Sequence, residues 1–599
     1  MDSSAMTRRR FIGLGAIGLV GVPALLDACG GSAAPATAPA STSSSAAPAG
    51  STAPASNAAP ASRSISAPAS TASGTTGVPQ GDMMGSVRLP AYVPVQGAKP
   101  DLPGSADGLI SPGFLTLPKN PFSAVKSPPG KGGDVTVLTW SFTGTLPPPV
   151  EKNTLWQAMN KDIGANVKFN IVAYADYGTR FSAVMAGNDL PDLMFVSPVG
   201  TTVDQLPAFL QAKCADLTPY LSGDAAKDYP NLANFPTLTW RNVVFNNAIY
   251  GVPIPYPIYF LVTWMHQELL DQDNLAVPKT ADEFKKVLQA VTKPQSNRWG
   301  TATSTIDGYG VMDGWFPAMF GAPNMWSLDS SGKLTHEYET DQFRQAASYA
   351  RDLYAAGVFH PNSATYNAAN LSTDFQADRF VFDFTGFQGQ SSTFWDAAPA
   401  LHPPGKFRIL PPFPAQAGQK ATYFASTGSF GFTVLKKASP DRVKELLGIL
   451  NYLAAPFGSR EYNLQHYGVK GVDYTPNDKG NPILTAKGKL EAALPWQLTA
   501  RAPWVLFYPP APADFANAIQ AAEKSLLPAA IFDPTLGAYS NTSASKGPSL
   551  TQAVLDSVNG IVKGTTPLSQ LDTIITTWRR NGGDQIRKEY EQSIAAAKR

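Results

Sequence analysis

Gly13, Gly15 and Gly18 in "RRRFIGLGAIGLVGVPALLDACGG" (8–31) fall in the pattern G-x-G-x-x-G. In a nucleotide-binding turn that spacing lets the backbone approach a pyrophosphate. The same chemistry needs a buried strand before the first glycine, a helix after the third, and an acidic ribose partner roughly 20 residues beyond. Here only twelve residues precede Gly13, Arg8, Arg9 and Arg10 among them, and an Ala/Ser/Pro tract without an acid follows. The glycines therefore make no dinucleotide site. Other catalytic spacings are missing too: there is no G-x-S-x-G, no H-E-x-x-H and no complete phosphate loop, and the five histidines (266, 336, 360, 402, 466) never stand at a motif spacing. A glycoside hydrolase needs only two carboxylates about 5–10 Å apart. The many Asp and Glu leave such a pair open, and no motif marks one.

What residues 8–31 do fit is an address: three arginines, an apolar run from Phe11 to Leu26, then small residues before Cys29. Thr7-Arg8-Arg9-Arg10-Phe11-Ile12 resembles a twin-arginine export signature, and Leu26-Asp27-Ala28-Cys29 resembles a bacterial lipobox. The lipobox implies cleavage before Cys29 and a diacylglycerol on its thiol. The apolar run is shorter than the roughly twenty residues of a spanning helix, so the expectation is a lipid-anchored extracytoplasmic chain.

The 47 basic and 45 acidic residues lose three arginines and two aspartates with residues 1–28, leaving a net charge of about +1, which argues against a nucleic-acid surface. Cys29 and Cys214 are the only cysteines; with the first lipidated, Cys214 has no disulfide partner and reads as a small core residue. Stability must then come from a large apolar core, and 599 residues allow two or more lobes.

Segments 1–28 (export signal), 29–80 (tether) and 81–133 (arm) precede the globular part. Residues 31–80 are almost wholly Ala, Ser, Thr, Pro and Gly, with Arg63 the one charge; such a stretch cannot bury enough surface to order itself. As a coil it would reach roughly 40 Å. Residues 81–133 stay Pro- and Gly-rich but gain apolar anchors such as "RLPAYVPV", predicting an extended arm. A β-rich run starts at "GGDVTVLTW", and the stretches that follow read helix, turn, strand twice over, the alternation of a parallel sheet covered by helices. Thr280 with Glu283 predicts a capping box, Ser439-Pro440 a helix start, and Gly357 a helix end.

From residue 134 to 599 the chain resembles the extracellular solute-binding proteins of ABC importers, in the sugar-binding, lipoprotein oligosaccharide-binder group related to maltose-binding protein. The resemblance rests on "AGNDLPDLMFVS" (186–197), "CADLTPYL" (214–221), "AIYGVPIPYPIYFLVTWMHQELLDQDNLAVPKTADEF" (248–284), "RDLYAAGVFHPN" (351–362), "EYNLQHYGVKGVDY" (461–474) and "TTWRRNGGDQIRKEY" (576–590), in that order behind a lipobox. It implies an α/β, two-lobe periplasmic-binding-protein fold of type II, each lobe a mixed, mainly parallel sheet flanked by helices. Lobe 1 is expected at 134–255 plus 428–470, lobe 2 at 256–427 plus 471–599. Two departures stand out. The interval "TKPQSNRWGTATSTIDGYG" (292–310), where larger members carry an acidic calcium loop, holds Asp307 as its one acid, so no metal is expected there. The usual R-x-D before the first helix of the second lobe reads His266, Gln267, Glu268.

The resemblance implies a carbohydrate ligand in the cleft between the lobes, an ABC permease as partner, no catalysis, no cofactor, no nucleic acid and a monomer. Sugars offer C–H faces to aromatic rings and hydroxyl rims to polar groups. The expected contacts are Trp140, Tyr177, Ser197, Tyr256, Tyr259, Asp313, Trp315, Asp383, Phe387 and Trp395, chosen at strand ends or beside Gly and Pro; Tyr174 is a further candidate. Trp578 reads as packing and Asp192 as a turn residue. The alternatives are a secreted carbohydrate-active hydrolase and a binder of a non-sugar solute such as a peptide or polyamine.

Overall fold

The β-branched run after Gly133 forms β1 (Asp134–Ser141), whose residues from Val137 onward are all buried. Asn153 caps α1 (Thr154–Ile163) by accepting from Trp156 N at 2.8 Å, and Gly164 ends it at φ 74°, a conformation that favours glycine. There follow β2 (Asn166–Ala173), α2 (Tyr174–Ala186) and β3 (Leu193–Val196). β1 pairs in parallel with β2 along its whole length, and with β3 at Val137 and Leu138. The predicted alternation of helix and strand is present. The computed structural model describes residues 79, 81–95, 97–141, 146–197, 205–304, 308–366, 368–387, 407–492, 494–509, 511 and 514–597.

From β4 (Val252–Pro255) the chain crosses through residues 256–260 into β5 (Leu261–His266), which leads straight into α3 (Gln267–Gln272). After α4 (Ala281–Val291) come β6 (Trp299–Ala302), α5 (Asp341–Ala355), α6 (Ala368–Gln376), β7 (Phe380–Gly386) and β8 (Phe407–Ile409). The chain returns with β9 (Ser429–Leu435) and α7 (Pro440–Leu453). Two sheets result, in the orders β2-β1-β3-β9-β4 and β6-β7-β5-β8, giving the two-lobe α/β fold. Both sheets are mixed, but "mainly parallel" describes only β1–β3. Within these two sheets the remaining parallel pair is β6 with β7, whereas β9 and β5 run antiparallel to both neighbours. The reason is topological: β5 and β9 arrive from the other lobe and enter their sheets from the opposite end.

The helix ends are where the sequence put them, with one change of detail. Thr280 Oγ1 accepts from Glu283 N at 3.2 Å, while the Glu283 carboxylate takes Lys279 N (2.8 Å) instead of the cap residue's own. Ser439 caps α7, and Gly357 follows α5 at φ 69°.

All described residues lie in one unit covering 73–599. One apolar cluster fills the first lobe, and two flank the second sheet, one around Phe284, Phe343 and Phe382, the other around Trp264, Phe387 and Phe515. Trp496, Leu498 and Ala500 belong to the first cluster, beyond the boundary drawn at residue 470. Trp496 packs edge-on against Phe169 (4.8 Å) and Trp156 (6.5 Å), which draws the chain back to the first lobe before α8 (Phe515–Leu526) in the second. Cys214 is fully buried, and burial pushes its thiol up to about 12, which leaves it inert. Among the described residues no helix is long and apolar enough to cross a membrane.

The stretch expected as an extended arm, 81–133, touches the lobes in turn through its described residues. Val93 N donates to Ala233 O in the first lobe, Phe114 N to Leu506 O beside the second, and Phe122 O accepts from Arg460 N back at the first, each at 2.8 Å. In the middle of the arm, Ser111 donates through N (2.7 Å) and Oγ (2.9 Å) to the buried Glu523 carboxyl on α8.

Candidate ligand-binding junction

Besides the arm, three passages of the described chain join the lobes: residues 256–260 between β4 and β5, the approach to β9 near Gly428, and residues 500–506. Gly428, at φ 73°, accepts from Tyr256 N at 3.0 Å and so ties the first passage to the second. Arg501 ties the third: its Nε and Nη2 donate to Pro255 O at 3.1 and 2.9 Å, and its guanidinium lies 5.2 Å from the Tyr256 ring centre. Burial lowers the Arg501 pKa to about 10, so it stays charged at neutral pH.

An aromatic row runs from the end of β1 into this junction. Trp140 lies 4.7 Å from Tyr174 and 6.3 Å from Phe430; Phe430 lies 5.6 Å from Tyr256, and Tyr256 lies 5.4 Å from Phe260. A second group starts at Tyr259, which is 6.3 Å from both Phe387 and Tyr423, with Trp264 6.5 Å beyond Phe387. Between the arm and the crossovers opens a cavity of about 460 Å³, walled by Tyr92 and Phe114 of the arm, Tyr256 and Ile258, Phe457 and Trp504. That volume is within the range of small-molecule sites.

Of the nine expected contact residues that are described, Tyr256 alone lines this cavity. Asp313 and Trp315 stand together and half-buried in the second lobe, the Asp313 carboxylate accepting from Trp315 N at 2.9 Å, with the indole 4.8 Å from Phe384 and 5.2 Å from Phe284. Six others are buried in this conformation and packed rather than open to a ligand: Trp140, Tyr177, Ser197, Tyr259, Asp383 and Phe387. The Tyr177 hydroxyl is used internally, donating to Phe195 O at 2.5 Å, and Asp383 sits mid-strand in β7 opposite Trp264 and Ala302. Residues at or near strand ends look alike in sequence whether they face a cleft or a helix. Trp395 lies outside the described residues, as do Asp307 and the segments 142–145, 198–204, 305–307 and 388–406 that come after β1, β3, β6 and β7 in the chain. Sequence reading passed over Phe260, Phe430 and Arg501. Gly428 and Gly431 around Phe430 were the available signal.

Asp192 does more than make a turn. Its carboxylate accepts from Thr136 N (2.9 Å) and pairs with Lys436 (3.2 Å) and Arg442 (3.3 Å), which hold its pKa below the ordinary range despite burial. Trp578 packs against Trp326, His336 and Tyr338, as its helical spacing predicted.

A family model described as a bacterial extracellular solute-binding protein matches residues 154–461, from α1 to the start of the helix after α7. The chain belongs to this family. Among relatives of this solute-binding protein, Lipoprotein LipO of Bacillus subtilis is 23% identical over 482 residues, 75% of this chain and 90% of LipO. The polygalacturonan/rhamnogalacturonan-binding protein YtcQ of the same organism is 24% identical over 448 residues, 70% of this chain and 83% of YtcQ. A solved structure of a solute-binding protein from Bifidobacterium longum infantis, described as binding HMO and associated with an ABC transporter, superposes with a TM-score of 0.58 at 15% identity, covering 79% of this solute-binding protein and 100% of that chain. That likeness is one of fold.

Proposed function

We propose that the protein is the receptor of an ABC import system, capturing an oligosaccharide between its lobes, leaving it chemically intact and passing it to a membrane permease. The match of the family model over residues 154–461, which include the first two crossovers, carries this reading. The printed names of relatives as polygalacturonan/rhamnogalacturonan-binding and as a fructooligosaccharide transporter's substrate-binding protein support the ligand class. Tyr256, at the meeting point of the crossovers, and the half-buried pair Asp313 and Trp315 are the proposed contacts, rings against sugar faces and the carboxylate against hydroxyls. A buried sugar hydroxyl without a partner would cost about 1–3 kcal/mol, so polar groups from both lobes are needed.

Ligand that touches both lobes favours the closed state over the open one, and the closed form docks on the permease. Cys29 is the proposed lipid anchor after twin-arginine export, with residues 29–80 as the tether between membrane and receptor. An anchor of more than one acyl chain holds stably. The receptor acts as a monomer, without cofactor or nucleic acid. Calorimetric titration of the mature chain with pectic, fructose-based and milk-type oligosaccharides, followed by chromatography of the recovered sugar, tests the proposal. Saturable one-to-one binding with unaltered ligand is expected. Cleaved product would replace the receptor with a hydrolase, and no binding to any of them would remove the ligand class.

A further inference from the structure

Within the arm, the chain from Gly97 to Phe122 runs out and back as a tongue. Its two legs pair at Leu102 and Gly113, which exchange both backbone hydrogen bonds at 3.0 and 2.8 Å. The legs meet again at the base, where Gly97 comes so near the Phe122 ring that a Cβ would lie 2.6 Å from it. This base is held by the first lobe. Val95 N, just before it, donates to Asn234 Oδ1 at 3.1 Å. Just past Phe122, the Glu461 carboxylate takes Ser123 Oγ at 2.7 Å and Ala124 N at 2.9 Å. The tip is held by the second lobe: Leu109 and Ile110 are buried in the cluster around Trp264, Phe387 and Phe515.

We infer that this tongue is a latch across the joint between the lobes and sets how far they can swing. Two buried side chains on one face of α8 grip the tip backbone. Glu523 accepts from Ser111 N and Oγ, and Gln520 Nε2 donates to Pro103 O and Ser111 O, both at 3.0 Å. Buried polar groups of this kind are costly to leave without partners, so the clasp resists partial opening. The tip also holds its own shape: Ser105 Oγ accepts from Ile110 N at 2.8 Å, and Gly108, at φ 72°, donates to Ser105 O at 3.1 Å. A preformed turn docks and releases as one piece. Lobes joined only by crossover passages move relative to one another by default. Here base and tip ride on different lobes, so any such rotation must strain or release the clasp. The cavity of about 460 Å³ between tongue and crossovers leaves the crossovers room to bend beneath it. The inference rests on the hinged-lobe reading given above and adds the part that limits the hinge.

The test uses the mature chain with Cys29→Ser, spin-labelled at Lys161→Cys on α1 and Lys286→Cys on α4, both exposed positions. Cys214 is buried and stays unlabelled. The distance distribution between the two labels is read without sugar in the latched protein and in two unlatched variants. One carries Ser111→Ala with Gln520→Ala in the clasp, the other Ile110→Ser at the tip. The expected result in either variant is a distribution about twice as wide as in the latched protein, with circular dichroism unchanged. Folded variants that keep the latched width overturn the proposal. Hydrogen exchange of the unsubstituted chain gives a reading that needs no variant. The amides of Ser111, Gly113 and Phe114 are expected to be protected like those of α8, and exchange at open-loop rates overturns the latch. Widening on release of the tongue, with no response of either form to sugar, would keep the latch and remove the receptor function.

Discussion

The two lobes use aromatic residues differently. In the first lobe the rings make an open-ended row, Trp140 to Phe430 to Tyr256 to Phe260, that leaves the sheet and enters the crossover. In the second, Trp315 is enclosed by Phe284, Phe316, Phe384 and Phe413, one member of a closed cluster against the sheet. The first arrangement couples a lobe to the hinge; the second builds a wall. A residue in the row should therefore affect folding and lobe coupling together, whereas Trp315, half exposed, can be altered at smaller structural cost.

Substitution separates these roles most sharply at Trp140 and Trp315. Trp140→Ala removes a fully buried indole and should cost about 3–5 kcal/mol in denaturant unfolding. Trp315→Ala should cost clearly less while weakening oligosaccharide binding tenfold or more. Equal stability losses would erase the distinction between row and wall.

The next effect is a pH response of opposite sign in the two lobes. Burial raises the carboxyls of Glu337 and Glu523, both in the second lobe, to about 8. A raised folded pKa gives stability that is complete below the unfolded value near 4.5 and is lost as pH climbs through 8. The second lobe should thus loosen between pH 5 and 9. In the first lobe Asp192 is held low, so its contribution is present above about 4 and disappears only as pH falls through its folded value. Hydrogen exchange resolved by lobe, at pH 5, 7 and 9, should show protection falling in α8 but not in β1 and β3. Parallel loss in both would contradict the assignment.

Asp192→Asn is expected to destabilise by about 1–3 kcal/mol, because it leaves Lys436 and Arg442 without their shared carboxylate beside β1 and β9. The smallest effect concerns Cys214: an excess of thiol reagent should leave it unmodified in the folded protein and label it in denaturant, since burial holds the thiol near 12.

Much of the architecture was legible in the sequence because periodicity and caps are local. Thr280, Ser439 and Gly357 act within a few residues of the ends they set. Strand direction was less legible: nothing in "SFGFTVL" reveals that it enters from the far lobe and must run against β3. Of the expected contact residues, Tyr256 lines the junction cavity and Asp313 and Trp315 are half-buried together, whereas the others that are described are packed in the core. Neither Trp140, at a strand end, nor Tyr177, in α2, shows its neighbours locally: the Trp140 ring meets Phe430 and the Tyr177 hydroxyl donates to the Phe195 carbonyl oxygen, partners distant in the chain.

The central claim, that two hinged lobes close on a sugar they do not alter, is tested most directly by small-angle scattering of the mature chain without and with saturating oligosaccharide. A smaller radius of gyration in the bound state, reversed when the sugar is dialysed away, is the predicted result. Superimposable curves at proven saturation would contradict it.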